Sequence, residues 1–493
     1  MDFLEGLNPQ QREAVCHLEG PVLILAGAGS GKTRVITHRI ARLVGVKRVP
    51  GDSVLAVTFT NKAAAEMRDR VLSLLGPEGG ASPPWVSTFH SFSVRLLRRA
   101  GKSLADLRPG FTTTFNIYAE DDQLAAIKAV YRRLGLTEDF MQYRAAISRI
   151  SFAKNHKQSP SDVFKASTDP KTSRLASVYE EYESTLRQAN ALDFDDLLLE
   201  SVRLLQHDES VRTAWNRRFQ YLMIDEYQDT NRSQYELMRL LTVLRQNVCV
   251  VGDEDQSIYG WRGADIRNIL DFEHDYPGAK TIRLEQNYRS TACILDAASA
   301  LVSRNKERKG KWLWTDRKGG ELIGIAETAD GEQEALLIAD LLRQMLREDP
   351  SSRAAVLYRT NAQSRQIEEA LRRHSVRYHV VSGFSFYQRA EIRDSLAYLK
   401  VLISPDDSVS LLRIINTPAR GIGKASQDRI TEIAGKENVS EWAVIRDELM
   451  TGRVPKGLDD FRKIIVKLMK MMDNVPGELT LSQFMKGVID ITG

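Results

Sequence analysis

Pro21-Val-Leu-Ile-Leu-Ala26-Gly27-Ala28-Gly29-Ser30-Gly31-Lys32-Thr33 decides the fold of this chain. Residues 21–25 are an unbroken apolar run, the pattern of a β-strand buried on both faces. Residues 26–33 match the phosphate-loop pattern G-x-x-x-x-G-K-[ST], with Ala26 in place of the first glycine. From 33 to 44, Val35, Ile36, Ile40 and Leu43 fall near one helical face. Between a strand and a helix, such glycines let backbone N–H groups wrap phosphates, and the helix N-terminus adds a favourable dipole. Lys32 then reaches the terminal phosphates and the Thr33 hydroxyl ligates Mg²⁺. The bland alternative is a glycine-rich turn without a ligand.

Working outward, Ser53-Val-Leu-Ala-Val-Thr-Phe59 is another apolar run, followed by a helical pattern over 61–75. Tyr221-Leu-Met-Ile-Asp225 and Val248-Cys-Val-Val-Gly252 are further runs, ending in an acid or a glycine. Buried strands separated by helices predict an α/β fold with a parallel sheet. Residues 110–196 turn mainly helical, with Leu175, Val178, Tyr179, Tyr182 and Leu186 at helical spacing, and read as an insertion. Alternation resumes after about 281. A second sheet is expected to begin near Thr281 and to gather strands at 321–326, 354–358 and 377–381, with helices at 332–347 and 362–374. From about 383 the chain is again mostly helical. The predicted divisions are 1–109 and 197–285 for one α/β domain, 110–196 for its insertion, 286–382 for a second α/β domain and 383–493 for that domain's helical insertion.

A length of 493 residues is about three domains' worth. Hydrophobic residues at 42% and charged residues at 27% are ordinary globular usage. The three cysteines, Cys16, Cys249 and Cys293, lie far apart, which excludes a disulfide scaffold and a cysteine zinc site. The eight histidines show no ligand spacing, and His90 reads as a structural group or a polar contact. A net charge of +4 neither demands nor excludes nucleic acid. Asp2 and Glu5 with no long apolar run exclude a signal peptide, and no run approaches the ~20 residues that span a bilayer. The expected location is the cytoplasm, with no membrane partner.

Ile224-Asp225-Glu226-Tyr227-Gln228-Asp229 closes one of the apolar runs. A phosphate-loop enzyme needs one acid there for Mg²⁺ and another to orient the attacking water. Asp225 suits the first role and Glu226, as general base, the second. Taken alone, an acidic strand end is also an ordinary solvated loop.

Asp225-Glu-Tyr-Gln-Asp-Thr230 resembles the D-E-x-Q-D-T motif of the UvrD/Rep/PcrA-type superfamily 1 DNA helicases. Other blocks match in that family's order: Leu7-Asn8-Pro-Gln-Gln11-Arg-Glu-Ala-Val, Phe59-Thr-Asn-Lys-Ala-Ala-Ala-Glu-Met67, Ser87-Thr-Phe-His-Ser-Phe92 and Leu192-Asp-Phe-Asp-Asp-Leu197. So do Val251-Gly-Asp-Glu-Asp-Gln256-Ser-Ile-Tyr259-Gly-Trp261-Arg262-Gly-Ala-Asp265 and Leu284-Glu-Gln-Asn-Tyr288-Arg289-Ser290. The resemblance covers about residues 1–430 and implies RecA-like P-loop NTPase domains with helical insertions, using ATP and Mg²⁺. It implies that Gln11 reads the adenine, Tyr288 stacks on it, and Gln256 and Arg289 meet the γ-phosphate. It also implies that Tyr259, Trp261 and Arg262, with Phe59 and Phe194 beside them, hold single-stranded DNA. The alternative for Tyr259 and Trp261 is an ordinary core. Gln256 lies five residues before Trp261, so a phosphate signal has a short path to a base-stacking ring.

Two stretches stay open between readings. Residues 304–318 carry seven basic and two acidic residues around Trp312 and Trp314. They form either a nucleic-acid face or, the favoured reading, a solvated loop beside two core tryptophans. Thr417-Pro-Ala-Arg420-Gly421-Ile-Gly423-Lys424 resembles the family's G-I-G element, implying a duplex contact at a single-strand/double-strand junction, or is a helix-joining turn.

The implied activity is ATP-dependent 3′→5′ translocation on single-stranded DNA with unwinding, in repair or replication. Two of the family's blocks, a K-G-L-E-F-like motif and an arginine-bearing motif, do not follow Arg289. The chain is therefore expected to be C-terminally incomplete, binding ATP and single-stranded DNA but hydrolysing slowly and unwinding little. A non-motor ATP- and DNA-binding remnant is one rival and a P-loop kinase a weaker one, against which the aromatic block 259–261 speaks.

Overall fold

The computed structural model describes residues 3–76, 82–306, 308–381, 390–437, 439–452, 454–475 and 477–492, without the Arg262 side chain. It divides into two compact units, Met1–Gly319 with Asp394–Gly493, and Gly320–Arg393.

The first unit is built on a sheet of β1 (Val22–Ala26), β2 (Val54–Thr58), β3 (Trp85–Thr88), β6 (Tyr221–Ile224), β7 (Val248–Gly252) and β8 (Lys280–Leu284). Between β3 and β6 in the chain lie β4 (Asn116–Tyr118) and β5 (Ala191–Asp193), which pair with each other in a separate parallel sheet. The six strands run in the order β3-β2-β6-β7-β1-β8, and every pair is parallel. Both faces are covered. Leu23 and Leu25 of β1 enter one core with Leu55, Leu222 and Val250. Val22, Ile24 and Ala26 enter the other with Val54, Met223 and Val251. Consecutive side chains of a strand point to opposite faces, so a strand between two cores must be apolar at every position.

The expected strands at 21–25, 53–59, 221–225 and 248–252 and the helix at 61–75 are present, the helix as Asn61–Leu75. One expectation for this sheet fails. The run near Thr281 does not open a second sheet. It is β8, and it pairs along β1 from Val22↔Lys280 to Ala26↔Leu284. It fills the parallel edge beside β1.

The insertion is helical, with Tyr143–Asn155 and Pro170–Gln188 packed around Tyr131, Ile150, Val178 and Tyr182. The C-terminal region forms its own helical core on Val401, Ile414, Ile430, Trp442, Phe461 and Ile465. It meets the insertion through a buried carboxylate. Asp407 accepts hydrogen bonds from Tyr118 Oη at 2.5 Å and Asn116 Nδ2 at 3.0 Å.

In the second unit the helices Gly331–Glu348 and Asn361–Arg373 pair through Ala335, Ala339, Ile367, Ala370 and Leu371. The expected strands at 321–326, 354–358 and 377–381 are absent from the described residues. Val356 and Tyr358 still rest on the helix pair, while Leu357 between them is 93% exposed. The period of two is there, but no ladder partner is, and a strand exists only through its neighbours. No described helix is long and apolar enough to cross a membrane.

Candidate nucleotide and DNA site

The carboxyl ends of parallel strands form a common rim, and ligands of such sheets bind there. All six strands of the main sheet end on residues singled out in the sequence. β1 runs into the phosphate loop, β6 into Asp225 and Glu226, β7 into the loop bearing Gln256, and β8 into Asn287–Arg289. β2 ends before Phe59 and β3 before the helix Phe89–Arg99 with His90. Strand order places β7 and β8 on either side of β1, and β2 and β3 at the far edge.

The helix Lys32–Gly45 starts from Gly31 in the left-handed region (φ 90°) without a side-chain cap. Its first-turn N–H groups are therefore left to a ligand rather than to a cap. A Cβ on Gly31 would stand 2.9 Å from Gln11 Nε2, and one on Gly29 (φ 67°) 2.7 Å from Arg289 Cβ. Around this loop the carbonyls are tied down: Asn287 Nδ2 donates to Ala28 O at 2.6 Å, and Tyr288 N to Gly29 O at 3.0 Å. Gln11 is buried, and its Nε2 donates to Ser30 O at 2.8 Å. Tyr288 is partly exposed, with its hydroxyl between Asn8 and Gln286. Leu313 packs against Gly27.

Thr33 Oγ1 donates to Asp225 Oδ2 at 3.3 Å, and Lys32 Nζ stands 3.7 Å from Glu226 Oε2. Burial, then the Glu226 charge, pushes the Asp225 carboxyl up to about 6. The same two causes raise Asp229 to about 6. Asp229 Oδ1 is buried and has no hydrogen-bond partner among the described residues. Two buried carboxylates and the partly exposed Glu226, beside one lysine and a threonine hydroxyl, are short of positive charge, which suits a divalent cation. Magnesium commonly takes only one or two carboxylates, with substrate phosphates and water completing its shell. No cluster of three or more His, Cys, Asp or Glu residues fit to cage a metal occurs among the described residues. Glu226 itself has φ 52°, a left-handed conformation that costs a non-glycine residue roughly 1–2 kcal/mol.

Sequence reasoning overlooked the groups that join these loops. Gln228 Nε2 donates to Glu226 Oε2 at 2.8 Å, while its Oε1 accepts from Asp253 N at 2.9 Å, tying the ends of β6 and β7. Gln228 stood inside the acidic motif, and its identity was the available signal. Gln256 also donates to Asp253. Lys311 is buried against Asp253, Glu254 and Asp255 at 2.6, 3.1 and 2.8 Å. The favoured reading of 304–318 is corrected here. Trp312 is 75% exposed and Trp314 partly exposed, so neither is core, and the residue that is buried is a lysine paired with three acids.

At the β2 and β3 edge and on the loop after β7, aromatic rings face outward. Trp261 is 76% exposed, which excludes the core alternative for it. Phe59 is 38% exposed and stacks on Tyr259, with centroids 5.2 Å apart and planes 24° apart. Phe194, 45% exposed, opens the helix Phe194–His207 and meets the His90 ring edge-on at 5.6 Å. Burial holds the His90 imidazole below its ordinary range. The Arg262 side chain lies outside the described residues.

Arg420 is engaged within the protein. Its guanidinium turns inward to the carbonyls of Ile414, Pro418 and Thr492 at 3.3, 3.1 and 3.0 Å. Helix-end carbonyls lack intrahelical partners and recruit such donors. The N–H groups of Arg420 and Ile422 are taken by Asn416 Oδ1 at 2.7 and 3.1 Å. Lys424 stays exposed beside Asp428.

Comparison with known proteins bears on the family of the chain. Residues 7–277 match the UvrD/REP helicase N-terminal domain, and residues 282–465 the UvrD-like helicase C-terminal domain. The ATP-dependent DNA helicase PcrA of Bacillus subtilis (strain 168) is 43% identical over 496 residues, 99% of this chain and 66% of that protein. The helicases of the same name from Staphylococcus aureus (strain Mu50) and Staphylococcus epidermidis are 44% identical over 472 residues, 95% of this chain and 64% of each. The chain thus spans just under two thirds of the length of these relatives. With a phosphate loop, an acidic strand end and an aromatic rim on one parallel sheet, and a family model covering more than half of its residues, this chain belongs to the UvrD/REP helicase family.

Proposed function

We propose that the chain carries the ATP- and single-strand-binding machinery of a DNA helicase that moves 3′→5′ and acts in repair or replication from the cytoplasm. The observation that carries this reading is the shared rim. Nucleotide-type residues on β1, β6, β7 and β8 lie on the sheet whose other half bears exposed rings, and Gln256 and Trp261 share the loop after β7. The divisions at 109, 196, 285 and 382 belong to the same reading.

In it, Gly27–Thr33 hold the phosphates, with Ala26 at the strand end before them. Thr33 and Asp225 hold magnesium, which supplies positive charge at the terminal phosphates. Glu226 takes the proton from the attacking water, and Lys32, Arg289 and Gln256 sit toward the γ-phosphate. Gln11 reads the adenine and Tyr288 stacks on it, while the Gln11 amide also fixes the loop through Ser30. Phe59, Phe194, Tyr259 and Trp261 stack on bases and Arg262 faces the backbone. Stacking tolerates any base, as movement along a strand requires.

The test is ATP hydrolysis by the chain with and without oligo-dT, and displacement of end-labelled strands from 3′- and 5′-tailed duplexes. Stimulation by oligo-dT with displacement from the 3′ tail supports the reading. Hydrolysis indifferent to DNA rejects it.

A further inference from the structure

Asn155 is the last residue of the helix Tyr143–Asn155 in the insertion, and no motif of the sequence includes it. Its side chain hydrogen-bonds two other segments and lies close to a third. Its Nδ2 donates to Asp195 Oδ1 at 3.0 Å, one residue after Phe194. Its Oδ1 accepts from Asn231 Nδ2 at 2.9 Å, two residues after Asp229. Gly263, two residues after Trp261, is the nearby third segment: a Cβ added there would lie 3.7 Å from Asn155 Cγ.

The surroundings make this junction stiff. Lys154, the preceding residue, is fully buried and paired with Asp193, Asp196 and Glu183 at 2.7–2.8 Å. Asp193 and Asp196 form the capping box that opens the Phe194 helix. Asn231 caps the helix Arg232–Leu241 and bridges Ala264 in the loop after Trp261. Asp265 N donates to Thr230 O at 3.0 Å. Hydrogen bonds thus run from the loop after β6 to the residue that follows Phe194 and to the loop that follows Trp261.

We propose that Asn155 is a positioning residue that couples the nucleotide half of the rim to its DNA half. This rests on the reading of Phe194 and Trp261 as DNA contacts. The polarity of the carboxamide matters, since its oxygen must face the Asn231 amide while its nitrogen faces the Asp195 carboxylate. Asn231→Asp keeps the capping oxygen but removes that amide. Whichever way the Asn155 carboxamide then turns, its oxygen faces a carboxylate.

The experiment measures the affinity of the chain for a fluorescent N-methylanthraniloyl-ADP with magnesium, alone and with saturating dT16. Coupled sites typically change one another's affinity by about 5- to 150-fold. Asn155→Ala and Asn231→Asp should each cut that factor at least about threefold, with either affinity measured alone changed less than about twofold. The double variant should be no worse than the worse single one, as groups in one network behave. Thermal midpoints control for folding. A lowered midpoint with the coupling factor intact overturns the proposal, as does an absence of coupling in the parent chain. Should Asn155→Ala fail to fold, Asn231→Asp decides alone. Phe194→Ala separates the premise. If it leaves dT16 affinity unchanged, the DNA reading of Phe194 fails. If it weakens dT16 while Asn155→Ala keeps full coupling, only the positioning role fails.

Discussion

The two halves of the sheet's rim are built from opposite materials. On the β1, β6 and β7 side the functional side chains are polar and tied to one another, as in Thr33 to Asp225 and Gln228 to both Glu226 and Asp253. On the β2 and β3 side they are rings turned to solvent, Phe59 and Phe194, with Trp261 on the loop that links the halves. The difference follows from the ligands each half suits. A phosphate chain needs donors and a cation fixed in direction before it arrives. A polymer that must slide needs open π-faces that accept every base alike.

Breaking the polar half should have the largest effect. Lys32→Ala is expected to abolish ATP turnover and leave oligo-dT affinity within about twofold, because Lys32 faces Glu226 and none of the rings. Turnover and DNA binding falling together in titrations of the variant would dissolve the division between the halves. Gly29→Ala comes next. It places a Cβ 2.7 Å from Arg289 Cβ at a φ of 67°, and the left-handed strain alone is roughly 1–2 kcal/mol. Nucleotide affinity should fall by about tenfold or more in a fluorescence titration, with DNA binding spared.

On the ring half, Trp261→Ala should weaken oligo-dT and oligo-dC alike by the ~1–3 kcal/mol of one stack. Its thermal midpoint should hardly move, since a residue so exposed leaves stability within about 0.5 kcal/mol. A large drop in the midpoint would make Trp261 a packing residue after all. Phe194→Ala should give the smallest loss, near ~1 kcal/mol, because part of its ring already rests on His90. A loss greater than that of Trp261→Ala would reverse the ranking of the two rings.

Much of the rim was legible because it is local. The 26–33 loop, the acids 225–226 and the ring loop 259–261 each announce themselves within a few consecutive residues. Gln228 was in view within its motif but unassigned, since its role depends on the distant Asp253 amide. Asn155 gave no signal, because its partners are 40 and 76 positions away along the chain. The charge of Arg420 was legible but its direction was not, because that is set by helix-end carbonyls that composition does not reveal.

By itself the sequence determined which segments were helical and which apolar runs could be strands, and it placed a phosphate loop after the first of them. Those are properties of neighbours in the chain: periodicity, glycine conformations and capping. Only the tertiary structure decided which runs became strands. The run at 280–284 found a parallel edge beside β1, whereas those at 321–326 and 354–358 found none among the described residues and left Leu357 exposed. Apolar pattern states a capacity to pair. Pairing itself needs a second backbone in register at about 4.8 Å, and that is supplied through space, not along the chain.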